Sequence, residues 1–492
     1  MNKITKTICM LCMVFGIVQT ADARMRKKAP QQWPNGEVIS EWFSDTTRIN
    51  VDELGKKYVI TDYGVKSDST LLQTEAIQAV IDRCANEGGG VVVLPKGTFL
   101  TGALFFRQGT HLHLVEGGML KGIDAIKYYP LKKTRMEGQT LDYFCALINA
   151  DSVDGFTISG KGTINGNGLR FWEEFWIRRR FNPECTNLEA LRPRLVYLSN
   201  CDDVQVQDVH LINSGFWTNH IYRCHRVKYI GCTIYAPHEP AASKAPSSDA
   251  LDIDVCSDVL VHGCKISVND DAVVIKGGKG TWADQQPENG PTERVIVQNC
   301  HYGFVHGCLT LGSESLHDRN IILRDCHVDN ASRVLWLKMR PDTPQHYEQI
   351  RVERITGSCG SFLFIRPWTQ FYQPSERKDM PLSECNDITI KDISMRCRRF
   401  LDIGASDKYR LHRFTFENID VEEERGEFKP EAIEDVKANR VNVRKRQTMS
   451  TAKAGTRWWW MGSAVDEENL RWNFEQYAAK GIGTVEITPS TA

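Results

Sequence analysis

The chain has 492 residues, with 61 basic and 62 acidic side chains and a formal net charge of −1. That length exceeds one small domain and suits a long core with an appendage. The even charge balance excludes an overall basic nucleic-acid binder, and no apolar run beyond the N-terminus is long enough for a membrane span.

The first residues read as an export signal. Lys3 and Lys6 supply a positive start, residues 8–18 a short apolar stretch, and Ala21-Asp22-Ala23 a small-residue cleavage site. Residues 1–23 are therefore expected to be removed, leaving a periplasmic or extracellular protein. Cys9 and Cys12 lack the small preceding residue of a lipoprotein site, so the exported form is expected to be soluble. A lead-in segment, 24–57, follows.

Residues 70–84 have a helical pattern. Thr70 and Gln73 fit a capping box, and Ala76, Ile77, Val80 and Ile81 form an apolar face. Gly88-Gly89-Gly90 ends the helix and Val91-Val92-Val93-Leu94 begins strands. Such a helix can cap the exposed edge of a strand stack.

The middle of the chain then repeats. A small or apolar residue recurs at Val209, Cys232, Cys264, Cys300, Cys326, Ile355, Ile393 and Ile419, with shortest steps of 23 and 26 residues. Each repeat holds short alternating strands, such as Asp203-Val204-Gln205-Val206, that cannot bury a face alone. Stacking successive coils solves this. The expectation is an all-β fold, a right-handed parallel β-helix, over residues 58–428. A propeller lacks support because neither its four-strand period nor its motif occurs. Most of the 16 cysteines lie in these apolar strands, where free Cys acts as a small hydrophobe. They are expected to be stacked and mostly unpaired.

One block carries chemistry: Pro246-Ser247-Ser248-Asp249-Ala250-Leu251-Asp252, then Val268-Asn269-Asp270-Asp271-Ala272. Asp249 and Asp270 are 21 residues apart, about one coil, so stacking gathers Asp249, Asp270 and Asp271 into one patch. Crowded carboxylates repel, which raises at least one pKa. A raised carboxyl can protonate a leaving oxygen while an ionised neighbour activates water, as glycoside hydrolysis requires. Taken alone, an Asp-Asp pair is more often a solvated turn or a calcium site.

The wider pattern resembles glycoside hydrolase family 28, the polygalacturonase family. It begins with Asp62-Tyr63-Gly64, Gly88-Gly89-Gly90 and Leu114-Val115-Glu116-Gly117-Gly118. Ser247-Ser248-Asp249 then resembles the family's N-T-D segment, Asp270-Asp271 its D-D, Val305-His306-Gly307 its G-H-G, and Trp336-Leu337-Lys338 its R-I-K. The resemblance implies an inverting hydrolase of galacturonate-containing pectin that needs no cofactor or metal. It implies Asp270 as general acid, Asp249 and Asp271 as the pair that holds and deprotonates water, His306 as their support, and Lys338 as the cation for a galacturonate carboxylate. The partner is then an acidic pectic polysaccharide or oligosaccharide, taken by a monomer.

Two departures stand out. Ser247-Ser248 replaces Asn-Thr, and Trp336 replaces the arginine. Strand alternation puts 336, 338 and 340 on one face, so Arg340 is expected to supply the second cation and Trp336 a stacking wall. The swap also raises a mixed chain such as rhamnogalacturonan as substrate. Trp217 and His220 are expected to line a subsite.

Residues 429–455 are polar and read as a linker. Residues 456–492 follow a β-α-β pattern that resembles the start of the glycoside hydrolase family 106 barrel, the α-L-rhamnosidases. A barrel takes about 250 residues, so this piece is expected to lack rhamnosidase activity. Two other functions fit the same fold: a calcium-dependent pectate lyase and a non-catalytic glycan-binding β-helix.

Overall fold

The computed structural model describes residues 30–241, 243–371 and 376–446, with 455–461, 466–480, 482 and 484–490; the side chains of 455–461 and 484–490 lie outside it. The export signal read over 1–23 falls outside these residues, as do the side chains of Trp458, Trp459 and Trp460.

Twenty-seven strands join in one parallel sheet that coils around a continuous apolar core, which is a parallel β-helix. The recurring small residues form one buried row. Thr233, Lys265, His301 and His327 stack in register, which stacks Cys232, Cys264, Cys300 and Cys326 just before them. Cys326, Ile355, Ile393 and Ile419 then pair directly.

The residue before each row member makes the corner. Asp208, Gly231, Gly263, Asn299, Asp325, Arg354, Asp392 and Asn418 have φ between 54° and 66°. Gly, Asn and Asp enter this left-handed region at least cost, which explains their recurrence there. Arg354 is the exception, and its guanidinium pairs at 2.6 Å with Asp325 on the preceding coil. The fourteen described cysteines are free thiols, and all except the half-buried Cys359 are buried.

The row runs one coil further than the sequence indicated. Ile419 pairs with Val441, inside a strand Lys437–Lys445 that stacks on Tyr409–Glu423. The linker reading of 429–455 is corrected over that stretch. A last coil has one face in solvent, so only the half-buried Val441 and Val443 give an apolar signal.

Helix α1 spans Thr74–Asn86 and buries Ile77, Val80, Ile81 and Cys84, while Ala76 is exposed. It starts four residues later than expected. Thr70 belongs to a strand, Asp68–Leu72, and the Gln73 side chain exchanges hydrogen bonds of 2.7 Å with the Lys66 backbone instead of capping the helix. In the lead-in, Trp33, Ile39 and Phe43 pack on Leu260, Ile296 and Ile322 outside the coil.

An antiparallel hairpin, Leu131–Met136 with Gln139–Phe144, leaves the coil and packs Met136 and Tyr143 on Phe216 and Trp217. At the C-terminus, Gly455–Met461 and Thr484–Ser490 pair in parallel around a helix, Glu467–Ala479, in the β-α-β order read from the sequence. Among the described residues no helix is long and apolar enough to cross a membrane.

Candidate active site

Three stacked turns bring the expected carboxylates together. The Thr218 amide donates to the Asp249 carbonyl at 2.8 Å, the Ala250 amide to that of Asp271 at 2.9 Å, and the His306 amide to that of Asp270 at 2.8 Å. These bonds fix the turns one ladder step apart, about 4.8 Å. One oxygen from each of Asp249, Asp270 and Asp271 therefore lies within 4.8 Å of the other two. The Ser248 hydroxyl, at one of the departures, accepts from the Asn269 amide at 3.1 Å and ties the turn before Asp249 to the turn before Asp270.

Two cationic side chains meet this cluster. Lys338 Nζ lies 2.7 Å from Asp271 Oδ2, both buried, and His306 Nδ1 lies 3.5 Å from Asp270 Oδ1. Burial pushes the Asp249 carboxyl well above the usual range, and the charges of Asp270 and Asp252 add to the rise. Burial also pushes Asp270 up, but His306, Lys338 and the Asp271 amide outweigh it and hold Asp270 below its ordinary value. His306 is raised, because Asp270 and Asp271 overcome the opposing effect of burial. The arrangement thus favours the protonated form of Asp249 and of His306 and the ionised form of Asp270.

A buried polar group adjoins the cluster. Lys276 Nζ lies 2.8 Å from Glu314 Oε2 and 3.5 Å from Asp252 Oδ1. Burial pushes Asp252 up to about 8 against the pull of Lys276. Burial and the nearby Glu314 likewise raise Glu137. Burial thus favours the neutral form at Asp252, Asp249 and Glu137, while Lys276 holds Glu314 ionised.

Four expected contact residues lie elsewhere than foreseen. Arg340 is 2% exposed and forms a bidentate pair with Asp342, at 2.7 and 2.6 Å. The strand His317–Met339 ends before it, so the alternation that places 336 and 338 does not reach 340. Trp336 is 7% exposed, its ring surrounded by Arg333, Lys338, Phe364 and Trp368, so it is no open stacking wall. Trp217 is buried, stacked on Phe216 and under Lys276 Nζ at 4.5 Å. His220 is fully buried, accepting from Arg194 at 2.7 Å and facing Asp254 at 3.4 Å; burial pulls its pKa down to about 3 and keeps it neutral. Trp217 and His220 support the site from beneath.

Arg333 was missed. Its guanidinium lies 3.8 Å from the centre of the Trp336 ring, and its strand position pairs with Gly307 next to His306. An added Cβ on Gly307 would come 2.9 Å from Asp271 Oδ1, so this strand pair runs directly behind the carboxylates. Among the described residues no carboxylate is within ion-pairing distance of Arg333, and its Nε is buried without a hydrogen-bond partner. Burial, with Arg398 and Arg366 nearby, pulls its pKa down, and an incoming carboxylate relieves that strain. The sequence signal was weak: an arginine three residues before a tryptophan, outside the resembling segment. A cavity of about 450 Å³ lined by Arg107, Lys132, Arg194, Tyr197 and Tyr222 contains none of the three carboxylates.

A model of glycosyl hydrolases family 28 matches residues 127–440, which hold the three carboxylates, His306, Lys338 and Arg333. This chain belongs to glycosyl hydrolases family 28. Among curated members, a probable polygalacturonase of Vitis vinifera is 26% identical over 249 residues, 49% of this chain and 48% of that protein. An exopolygalacturonase of Zea mays is 24% identical over 358 residues, 70% of this chain and 76% of that one. Among solved family structures, an exopolygalacturonase from Thermotoga maritima matches with a TM-score of 0.62 at 20% identity, covering 82% of this chain and 95% of its own. A polygalacturonase from Erwinia carotovora gives 0.59 at 20% identity, with 77% and 96% covered. At that identity the structural likeness speaks for the β-helix alone. Family membership makes the chain a glycoside hydrolase and lends no support to the lyase and non-catalytic readings.

Proposed function

We propose that this protein hydrolyses glycosidic bonds beside galacturonate in pectic chains. The observation that carries the reading is the meeting of three carboxylates with the buried Lys338 in a family 28 β-helix. Asp270 protonates the leaving oxygen. Asp271, paired with Lys338, takes the proton of the attacking water, and Asp249 orients that water with its own proton. His306 arms the acid by passing its Nδ1 proton to Asp270. Lys338 and Arg333 bind the sugar carboxylate, so Arg333 stands in for the arginine that Trp336 displaced. That substitution keeps an acidic sugar at the site.

The export signal fits this work, since a polymeric substrate lies outside the cell. The C-terminal piece over 456–492 is read as a rhamnosidase-like fragment without its own activity. The test is digestion of polygalacturonate and rhamnogalacturonan side by side, with products identified, using wild type and Asp270→Asn. Loss of one general acid is worth about 10²–10⁴-fold. The variant should lose hydrolysis on that scale yet still bind oligosaccharide. Undiminished hydrolysis by Asp270→Asn would remove Asp270 from the role.

A further inference from the structure

We propose that the cleft is blind on its N-terminal side, so that the enzyme removes sugars from chain ends. The inference rests on the hydrolase reading above and concerns where along the polymer the cut falls. The strand row through the site runs Tyr197, His220, Asp252, Val274, Thr310, Trp336, Phe364 and Asp402. Its two directions differ. Toward the N-terminus, Trp217, His220, Asp252 and Asp254 are all buried. Toward the C-terminus, Phe364, Trp368 and Asp402 are half-buried and Arg366 is exposed.

The barrier has three parts locked together. From the hairpin, Arg135 donates to both carboxylate oxygens of Asp254, at 2.9 and 3.2 Å, and to Asn289 Oδ1 at 2.7 Å. Asn289 belongs to the insert between strands Val273–Lys276 and Pro291–Gln298. That insert is anchored again where Tyr222 donates its hydroxyl to the Glu288 carbonyl at 2.7 Å. At the hairpin tip, Glu137 accepts from Asn187 at 3.0 Å. Gly138 beside it is so close to the site that an added Cβ would come within 2.8 Å of Glu314 Cβ and 2.9 Å of Lys279 Cβ. Arg194 braces the hairpin from below, donating to the Arg135 carbonyl at 2.8 Å and to Thr134 Oγ1 at 2.9 Å.

A polymer that passed through would have to break this buried network. Breaking a buried ion pair such as Arg135–Asp254 leaves each charge buried without its partner. A chain entering end-first comes from the C-terminal side, where Phe364, Trp368 and Asp402 are half-buried and Arg366 is exposed. Its last sugar stops at this barrier, where Glu314 is half-buried over the buried Lys276 and Asp252.

The experiment follows polygalacturonate during its first few per cent of digestion by the full-length enzyme, reading viscosity, new reducing ends and product sizes together. End-labelled oligogalacturonates report which end is cut. A chain-end enzyme gives one short product from the start while viscosity lags behind reducing ends, and the label stays with the longest oligomer or leaves at once. An early ladder of mixed oligomers, with viscosity collapsing ahead of reducing ends, would overturn the blind cleft and leave the hydrolase reading intact. No release from either pectic polymer by the folded enzyme would overturn the substrate reading itself, and this inference with it.

Discussion

The guanidinium of Arg333 lies 3.8 Å from the centre of the Trp336 ring, with Lys338 Nζ 4.2 Å from the same centre. One buried indole thus holds two cations beside the carboxylate cluster. Lys338 already shares one of its donors with Asp271, whereas Arg333 has no ion-pair partner among the described residues. A hydrogen bond to a charged group contributes about 1.5–3 kcal/mol. Arg333→Ala should therefore raise KM for an acidic oligosaccharide by roughly ten- to a hundredfold with kcat little changed, and esterifying the substrate carboxyls should erase the difference. Steady-state kinetics on both substrates check this; equal KM values for wild type and variant on the acidic one would exclude the contact.

Arg340 should behave in the opposite way. It forms a buried pair with Asp342 away from the carboxylates. Breaking such a pair costs about 3–5 kcal/mol. Arg340→Ala should lower the melting temperature measurably while leaving KM of the remaining folded enzyme near wild type. A selective rise in KM with unchanged melting would return Arg340 to the substrate.

The pH profile should be bell-shaped, and its alkaline limb belongs to the Asp270–His306 pair. His306 is raised above 6.5 beside Asp270, so the pair keeps one proton past that pH. Removing the imidazole leaves only a carboxyl to hold it. His306→Gln should shift the alkaline limb of kcat/KM to lower pH. The stability sign agrees: a raised His contributes below its ordinary pKa and loses that contribution as pH climbs through the raised value. An alkaline limb that stays in place would rule out the proton reservoir.

The limit of the coil can be tested by truncation. Ending the chain at 446 keeps the strand Lys437–Lys445 and should leave melting unchanged. Ending it at 428 uncovers the row that includes Ile419 and Val421. Each apolar side chain so exposed costs about 1.5–3 kcal/mol. Differential scanning should show a clear drop for the shorter form only; identical melting of the two would make 429–446 a linker after all.

Stereochemistry is the sharpest check on the water-activating roles. Inverting enzymes usually separate their two carboxyl groups by about 6.5–9.5 Å. Here the three share oxygens within 4.8 Å, so inversion comes from the family resemblance and not from the spacing. Proton NMR of the first-formed product should show the inverted anomer. A retained anomer would make one aspartate a nucleophile and end the assignment of Asp271 as base.

The sequence determined the coil, because a row of small or apolar residues, preceded by Asp, Asn or Gly at all but the Arg354 corner, records a buried position and a left-handed corner. It also determined Asp249, Asp270 and Asp271 as neighbours, since coil length converts sequence spacing into stacking, whereas His306 followed from its motif. Lys338 followed from its motif. Tertiary structure alone decided Arg340, Trp336, Trp217 and His220, because whether a side chain reaches solvent depends on where a strand ends and what covers it. The same holds for Arg333 and for the barrier of Arg135, Asp254 and Asn289. Those three residues are 119 and 154 positions from one another along the chain, counted from Arg135, and no local pattern carries a contact across that distance.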